Sequence, residues 1–122
     1  MMSSNKKILL VDDDKDIALS FNLALQHNDF LVDVFTNPIE ALAKFKPGFY
    51  KMALIDLRMP EMDGIELFKK IREIDKKIKI CFLTAYDWDN QQIKDLSEHF
   101  IKKPISIDGL VKIVKTEIEK EN

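Results

Sequence analysis

The chain alternates, and that alternation constrains its fold more than any other feature. Compact aliphatic and β-branched runs are separated by longer stretches whose apolar residues recur at helical spacing. Lys6-Lys7-Ile8-Leu9-Leu10-Val11 is the first run and stops at Asp12. Ile17, Ala18, Phe21, Leu23, Ala24 and Leu25 follow on a helical face. Leu31 to Phe35 reads as a second strand. Asn37-Pro38 then opens a helix, since asparagine caps well and proline at the first helical position forfeits no hydrogen bond. That helix carries Ile39, Leu42, Ala43 and Phe45 and ends by Pro47-Gly48. A third strand spans residues 50–55, and Asp63-Gly64 opens a helix with Ile65, Leu67, Phe68, Ile71 and Ile74 on its face. A fourth strand follows over residues 78–83, then a short polar helix over residues 87–97 anchored by Ile93 and Leu96. A very short fifth strand, Phe100-Ile101, precedes a last helix capped by Ser106, with Leu110, Ile113, Val114 and Ile118 inward.

Five strand–helix pairs predict an α/β fold: an open, doubly wound parallel sheet covered by helices on both faces, because parallel neighbours need a crossover. Strands 1, 3 and 4 are nearly continuous apolar runs, as suits strands buried on both faces. Strand 2 carries Asp33 within its run, which suits a sheet edge. The 122 residues fit one domain. The 19 basic residues almost cancel the 21 acidic ones, leaving a net charge of −2, so a dedicated nucleic-acid surface is not expected. The single cysteine, Cys81, can build neither an intramolecular disulfide nor a cysteine zinc cage. No apolar run approaches the roughly 18 residues needed to cross a membrane, and the polar start suggests a cytoplasmic location.

In sheets of this kind, sites form beyond the carboxyl ends of the strands, where the strand order reverses. In the flavodoxin-like order 2-1-3-4-5, expected for such a sheet, that point lies between strands 1 and 3. Strand 1 ends in Asp12-Asp13-Asp14 and strand 3 in Asp56, so Asp12, Asp13 and Asp56 are expected to converge. Packed like charges repel and require a reason. Helix capping serves for Asp13 or Asp14 but not for Asp56, which lies between apolar residues. Converging oxygen donors suit a hard divalent cation, and Mg2+ with retained waters fits best, one acid acting through water. Magnesium favours phosphate-bearing ligands, so a phosphoryl group is the expected third party. Thr84, after strand 4, can donate to one phosphoryl oxygen. Lys103, after strand 5, can pair with another. Lys102 is the alternative lysine; Lys103 is preferred because Pro104 restricts its backbone.

Four segments together resemble the receiver domain of two-component response regulators: ILLVDDD at 8–14, LIDLRMPEMDGIEL at 54–67, LTA at 83–85 and KKP at 102–104. The resemblance covers nearly the whole chain, which leaves no room for an output domain in residues 1–122. It implies a flavodoxin-like (βα)5 fold. It implies that Asp56 is the phosphoacceptor and that Asp13, Asp56 and the backbone carbonyl of Arg58 ligate Mg2+ (or Mn2+) directly, with Asp12 holding it through water. Thr84 and Lys103 would bind the phosphoryl oxygens, and the bond between Lys103 and Pro104 would be cis. Phe100 stands at the aromatic switch position, often tyrosine in the family, and Thr84 and Phe100 would move together. The implied partners are a histidine kinase or histidine phosphotransfer protein and an output partner the sequence does not name. The expected chain is a monomer or weak dimer that undergoes self-phosphorylation and autodephosphorylation but is not otherwise an enzyme.

Two departures from the family pattern stand out. The span from Thr84 to Lys103 is short, and Leu96-Ser97-Glu98-His99 replaces the usual small residues, so the fourth helix or its loop is truncated on a surface the family often uses for output and dimerisation. Arg58 and Tyr86, each two residues beyond a site residue, are bulky and are expected to slow hydrolysis of a phosphoaspartate. His27 is expected at a helix end and His99 in a loop, neither with a chemical role. The enzyme alternative is a phosphatase of the haloacid dehalogenase type, with Asp12 as nucleophile and Asp14, Thr84 and Lys103 in support; it leaves Asp56 unexplained. A flavodoxin-like cofactor binder would need a glycine- and hydroxyl-rich first loop, where this chain has three acids. A pseudo-receiver acting as an unphosphorylated interaction module is the third.

Overall fold

A computed structural model describes residues 6–84 and 99–120. Its five strands are β1 (Lys7–Val11), β2 (Leu31–Phe35), β3 (Met52–Asp56), β4 (Lys79–Thr84) and β5 (His99–Lys102). They form one parallel sheet in the order β2-β1-β3-β4-β5. Four helices fall within the described residues: α1 (Lys15–His27), α2 (Pro38–Lys44), α3 (Gly64–Ile74) and α4 (Ile107–Glu119). The polar helix expected over residues 87–97 lies outside them, as does Tyr86.

The pleat sorts the core. Alternate residues of a strand face opposite sides, so each buried strand feeds two layers. Leu9, Val11, Ala53, Ile55, Ile80 and Phe82 pack on one side with Ala41 and Phe45 from the α2 region and Leu67, Phe68 and Ile71 of α3. Ile8, Leu10, Met52, Leu54, Cys81 and Leu83 pack on the other with Phe21 and Leu25 of α1 and Leu110, Val111 and Val114 of α4. Each fully buried aliphatic side chain contributes about 1.5–3 kcal/mol, so these central strands carry most of the burial. β2 is an edge and only partly buried. Its inward Asp33 accepts a hydrogen bond from the Tyr50 hydroxyl at 2.7 Å and pairs with Lys7 at 3.2 Å.

The helix starts follow the expected caps. The Asn37 side chain accepts from the N–H groups of Ile39 and Glu40, with Pro38 in the first turn. Asp63 caps α3 and Ser106 caps α4. At α1 the cap is Asp14, whose Oδ1 accepts from Asp16 and Ile17. His27 is the last residue of α1, as expected, but His99 opens β5 rather than lying in a loop. A five-residue spacing between His99 and Pro104 leaves too little chain to reveal where pairing with Cys81 begins. β3 and β4 likewise each run one residue further than the apolar pattern, so Asp56 and Thr84 are the last residues of their strands. Ladder pairing persists where hydrophobicity has already stopped.

Candidate functional site

At the carboxyl rim of the sheet, four strands deliver polar residues into a small volume. Asp12 follows β1, Asp56 ends β3, Thr84 ends β4 and Lys103 follows β5. Asp12, Asp13 and Asp56 each offer a carboxylate oxygen, and these lie within 4.8 Å of one another. Asp12 is fully buried. Its N–H donates to Phe35 O at 3.1 Å, which continues the β1–β2 ladder by one residue. Its Oδ1 accepts from Asp14 N–H at 3.0 Å and its Oδ2 from Lys103 Nζ at 2.9 Å. Lys103 Nζ lies 3.7 Å from Asp56 Oδ2, so one ammonium faces two of the carboxylates. Asp13 is exposed, at the mouth of the group.

The position of Lys103 is set by backbone. Its N–H donates to Thr84 O at 2.6 Å, extending the β4–β5 pairing past the strand, and its peptide bond to Pro104 is cis. Thr84 is buried and shares a face with Phe82, two residues before it. Phe100 lies opposite Phe82 in the register and stacks on it, with ring centroids 5.2 Å apart and planes 25° apart. Phe82 in turn meets Phe68 edge-on at 5.5 Å. This three-ring row was not foreseen, because it depends on the β4–β5 register.

Asp56 leads into a loop that returns immediately to α3. Leu57 N–H donates to Leu83 O at 3.0 Å, and Gly64 N–H donates to Leu57 O at 2.8 Å. A Cβ on Gly64 would collide with the carbonyl oxygen of Asp56 and crowd the Cα of Leu57. Glycine is therefore required by close approach of two backbones. Arg58 N–H reaches Asp56 Oδ1 at 3.4 Å, and the Arg58 side chain is exposed.

Burial, above all, and the neighbouring Asp12 charge push the Asp56 carboxyl up to about 7. Lys103 opposes the shift, a hydrogen bond with Asp13 adds to it, and the Arg58 N–H opposes it. Clustered hard oxygen donors, with Asp56 resisting ionisation, are the donor set a hard divalent cation fits, since the cation would favour the ionised Asp56 carboxylate. Among the described residues, Asp12, Asp13 and Asp56 are the ones grouped so as to hold it.

Asp12, Asp13, Asp56, Thr84 and Lys103 are thus brought to one rim. Asp14 is not: it faces α1 as a cap. One contributor was not anticipated. Glu61, in the loop after β3, has φ 73°, and its Oε1 accepts from Asn37 Nδ2 at 3.1 Å. Asp12 and Lys103, both expected at this rim, form an ion pair across 91 residues.

Comparison with known proteins gives a consistent result. The profile of the response regulator receiver domain matches residues 8–115. The chain is 34% identical over 115 residues to sporulation initiation phosphotransferase F of Bacillus subtilis (strain 168), covering 91% of this chain and 92% of that protein. It is also similar to longer transcriptional regulators, of which it spans only 26% and 42%. Among solved structures, a CheY-like receiver domain from Methanospirillum hungatei JF-1 superposes with a TM-score of 0.87 at 29% identity, covering 96% of both chains. The response regulator protein TrrA of Thermotoga maritima, solved in complex with Mg2+-BeF, gives 0.78 at 30% identity, covering 91% of this chain and 97% of that one.

Proposed function

The chain belongs to the response regulator receiver domain family of two-component signalling, and from that premise we propose that it is a switch set by phosphorylation of Asp56 with Mg2+ (or Mn2+). The observation that carries the reading is the convergence of three carboxylates beside Lys103 at the switch point of the sheet. A bound divalent cation would supply charge neutralisation for the phosphoryl oxygens, held by Asp13, Asp56 and the Arg58 carbonyl, with Asp12 behind a water.

The residues of the chain do the rest. An oxygen of the Asp56 carboxylate attacks phosphorus in line as the P–N bond of a donor phosphohistidine breaks, and that bonding pair stays on the imidazole nitrogen. Lys103 exchanges part of its pairing with the carboxylates for a phosphoryl oxygen, stabilising charge that develops in the transition state. The Thr84 hydroxyl donates to another phosphoryl oxygen. Its displacement frees space toward which the Phe100 ring turns, leaving its stack on Phe82, so a local charge biases a two-state packing element. Phenylalanine supplies the packing half of that device without a hydroxyl. Return to the resting state is hydrolysis of the acyl phosphate. Arg58, exposed two residues beyond Asp56, slows it; the same role is assigned from sequence position alone to Tyr86, which lies outside the described residues.

The donor is a histidine kinase or a histidine phosphotransfer protein. A cytoplasmic setting fits this, and among the described residues no helix is long and apolar enough to cross a membrane. The phosphatase alternative fares worse, because it needs Asp12 as nucleophile. Asp12 is fully buried, and both its oxygens are already engaged, by Asp14 N–H and by Lys103. Incubation with Mg2+ and acetyl phosphate, read by intact mass, tests the assignment. Wild type gains an acid-stable, alkali-labile phosphoadduct and Asp56→Asn gains none. An equal adduct on the Asn variant overturns it.

A further inference from the structure

Residues 57–63 carry Arg58, whose carbonyl is a proposed ligand, so the path of this segment sets the shape of the cation site. Its ends are pinned by the Leu57 and Gly64 backbone bonds. Between them Met62 N–H donates to Pro60 O at 2.8 Å, closing a tight turn centred on Glu61. The φ of Glu61, 73°, lies in the left-handed region that an L side chain enters at a cost and glycine enters freely. A glutamate kept there needs something to hold it. Glu61 Oε1 accepts a hydrogen bond from Asn37 Nδ2 at 3.1 Å, across 24 residues. The Asn37 side chain is itself fixed. Its Oδ1 caps α2 by accepting from Ile39 at 2.8 Å and Glu40 at 3.1 Å. Because the oxygen must face those two N–H groups, the amide nitrogen is left facing Glu61.

We infer that Asn37 and Glu61 form a clasp that positions the 57–63 segment, and with it the Arg58 carbonyl, for divalent-cation binding. The inference rests on the cation-assisted phosphoacceptor reading above. One side chain ties the start of α2 to the loop that leaves the phosphoacceptor strand. Glu61 is a positioning residue, acting through the backbone of its own turn. A competing role for the same side chain is simple charge: a carboxylate near the rim attracts a cation without touching Asn37. The two roles predict different responses to Asn37, which carries no charge.

Calorimetric titration of Mg2+ and Mn2+ into the full chain separates them. Asn37→Ser keeps a capping oxygen for α2 but removes the donor to Glu61. It is expected to weaken cation binding by about two- to fivefold, the scale of one exposed hydrogen bond to a carboxylate. Glu61→Ala should weaken it equally, and the double variant no further. Glu61→Gln, which keeps the acceptor oxygen but not the charge, should stay near wild type. Thermal melts report whether each variant is folded. Wild-type affinity in Asn37→Ser, with Glu61→Ala and Glu61→Gln equally weakened, overturns the clasp in favour of charge. Unchanged affinity in every variant overturns both. A wild-type chain that binds neither cation overturns the site reading itself, and the clasp with it.

Discussion

Asp56 and Asp75 are equally buried, each 8% exposed, yet their surroundings have opposite effects. Asp75 follows α3 and is wrapped in donors. Gly48 N–H reaches it at 2.9 Å, Lys77 N–H at 2.9 Å and Ile78 N–H at 3.1 Å. Burial alone would raise its pKa, but those N–H groups and Arg72 outweigh it and hold the carboxyl below its usual range. Asp56 meets two further carboxylates, one lysine and one long N–H contact, and its carboxyl is pushed up. Asp75 is satisfied by the fold and ties the α2–β3 turn to the α3–β4 turn. Asp56 has partners but too few donors to offset its neighbouring carboxylates, and under the proposed function a cation and a phosphoryl group would supply that balance. Burial does not separate a structural carboxylate from a functional one; the sign of its surroundings does.

The contrast can be broken most severely at Gly64. Gly64→Ala drives a Cβ into the backbone of Asp56 and Leu57, and should cost about 3 kcal/mol or more while abolishing cation binding. Urea denaturation and Mg2+ titration check both. Asp75→Ala should cost about 2 kcal/mol, because buried N–H groups lose their acceptor, while the folded fraction still accepts phosphate. Loss of the adduct from folded Asp75→Ala would dissolve the distinction.

The pH dependence of stability should show the two aspartates pulling in opposite directions. The folded Asp75 pKa is depressed, so its contribution is present above the unfolded value and lost as pH falls through the folded one. The folded Asp56 pKa is about 7 against an ordinary 3.8. In that window the folded state binds more protons than the unfolded state, so this contribution declines as pH rises from about 4 to about 7 and is flat above. Cation-free melts of Asp56→Asn should lack that decline, and Mg2+ should restore stability to wild type above neutrality. The smallest effect is the stability gain of cation-free Asp56→Asn at pH 8, about 1 kcal/mol, from removing one of the clustered like charges. Destabilisation there would mean that Asp56, like Asp75, is already satisfied.

Much of this was legible before any coordinates. The rhythm of apolar runs announced a parallel α/β sheet, Asp33 marked β2 as an edge, and Asn37, Asp63 and Ser106 marked helix starts, because period and capping are local properties. The acids at strand ends and the lysine before Pro104 were also visible, since a doubly wound sheet gathers strand ends at one rim. His99 was misplaced in a loop, and strand ends ran short, because ladder hydrogen bonds do not stop where hydrophobicity does.

The sequence by itself determined which residues reach the rim, because strand ends and pleat follow from short-range pattern. Only the tertiary structure decided how they meet there. It paired Asp12 with Lys103, left Asp56 short of donors while wrapping Asp75 in them, stacked Phe100 on Phe82, and set Asn37 against Glu61. Each of these joins residues far apart in the chain. Their energies depend on distances of a few ångströms, which no local periodicity encodes.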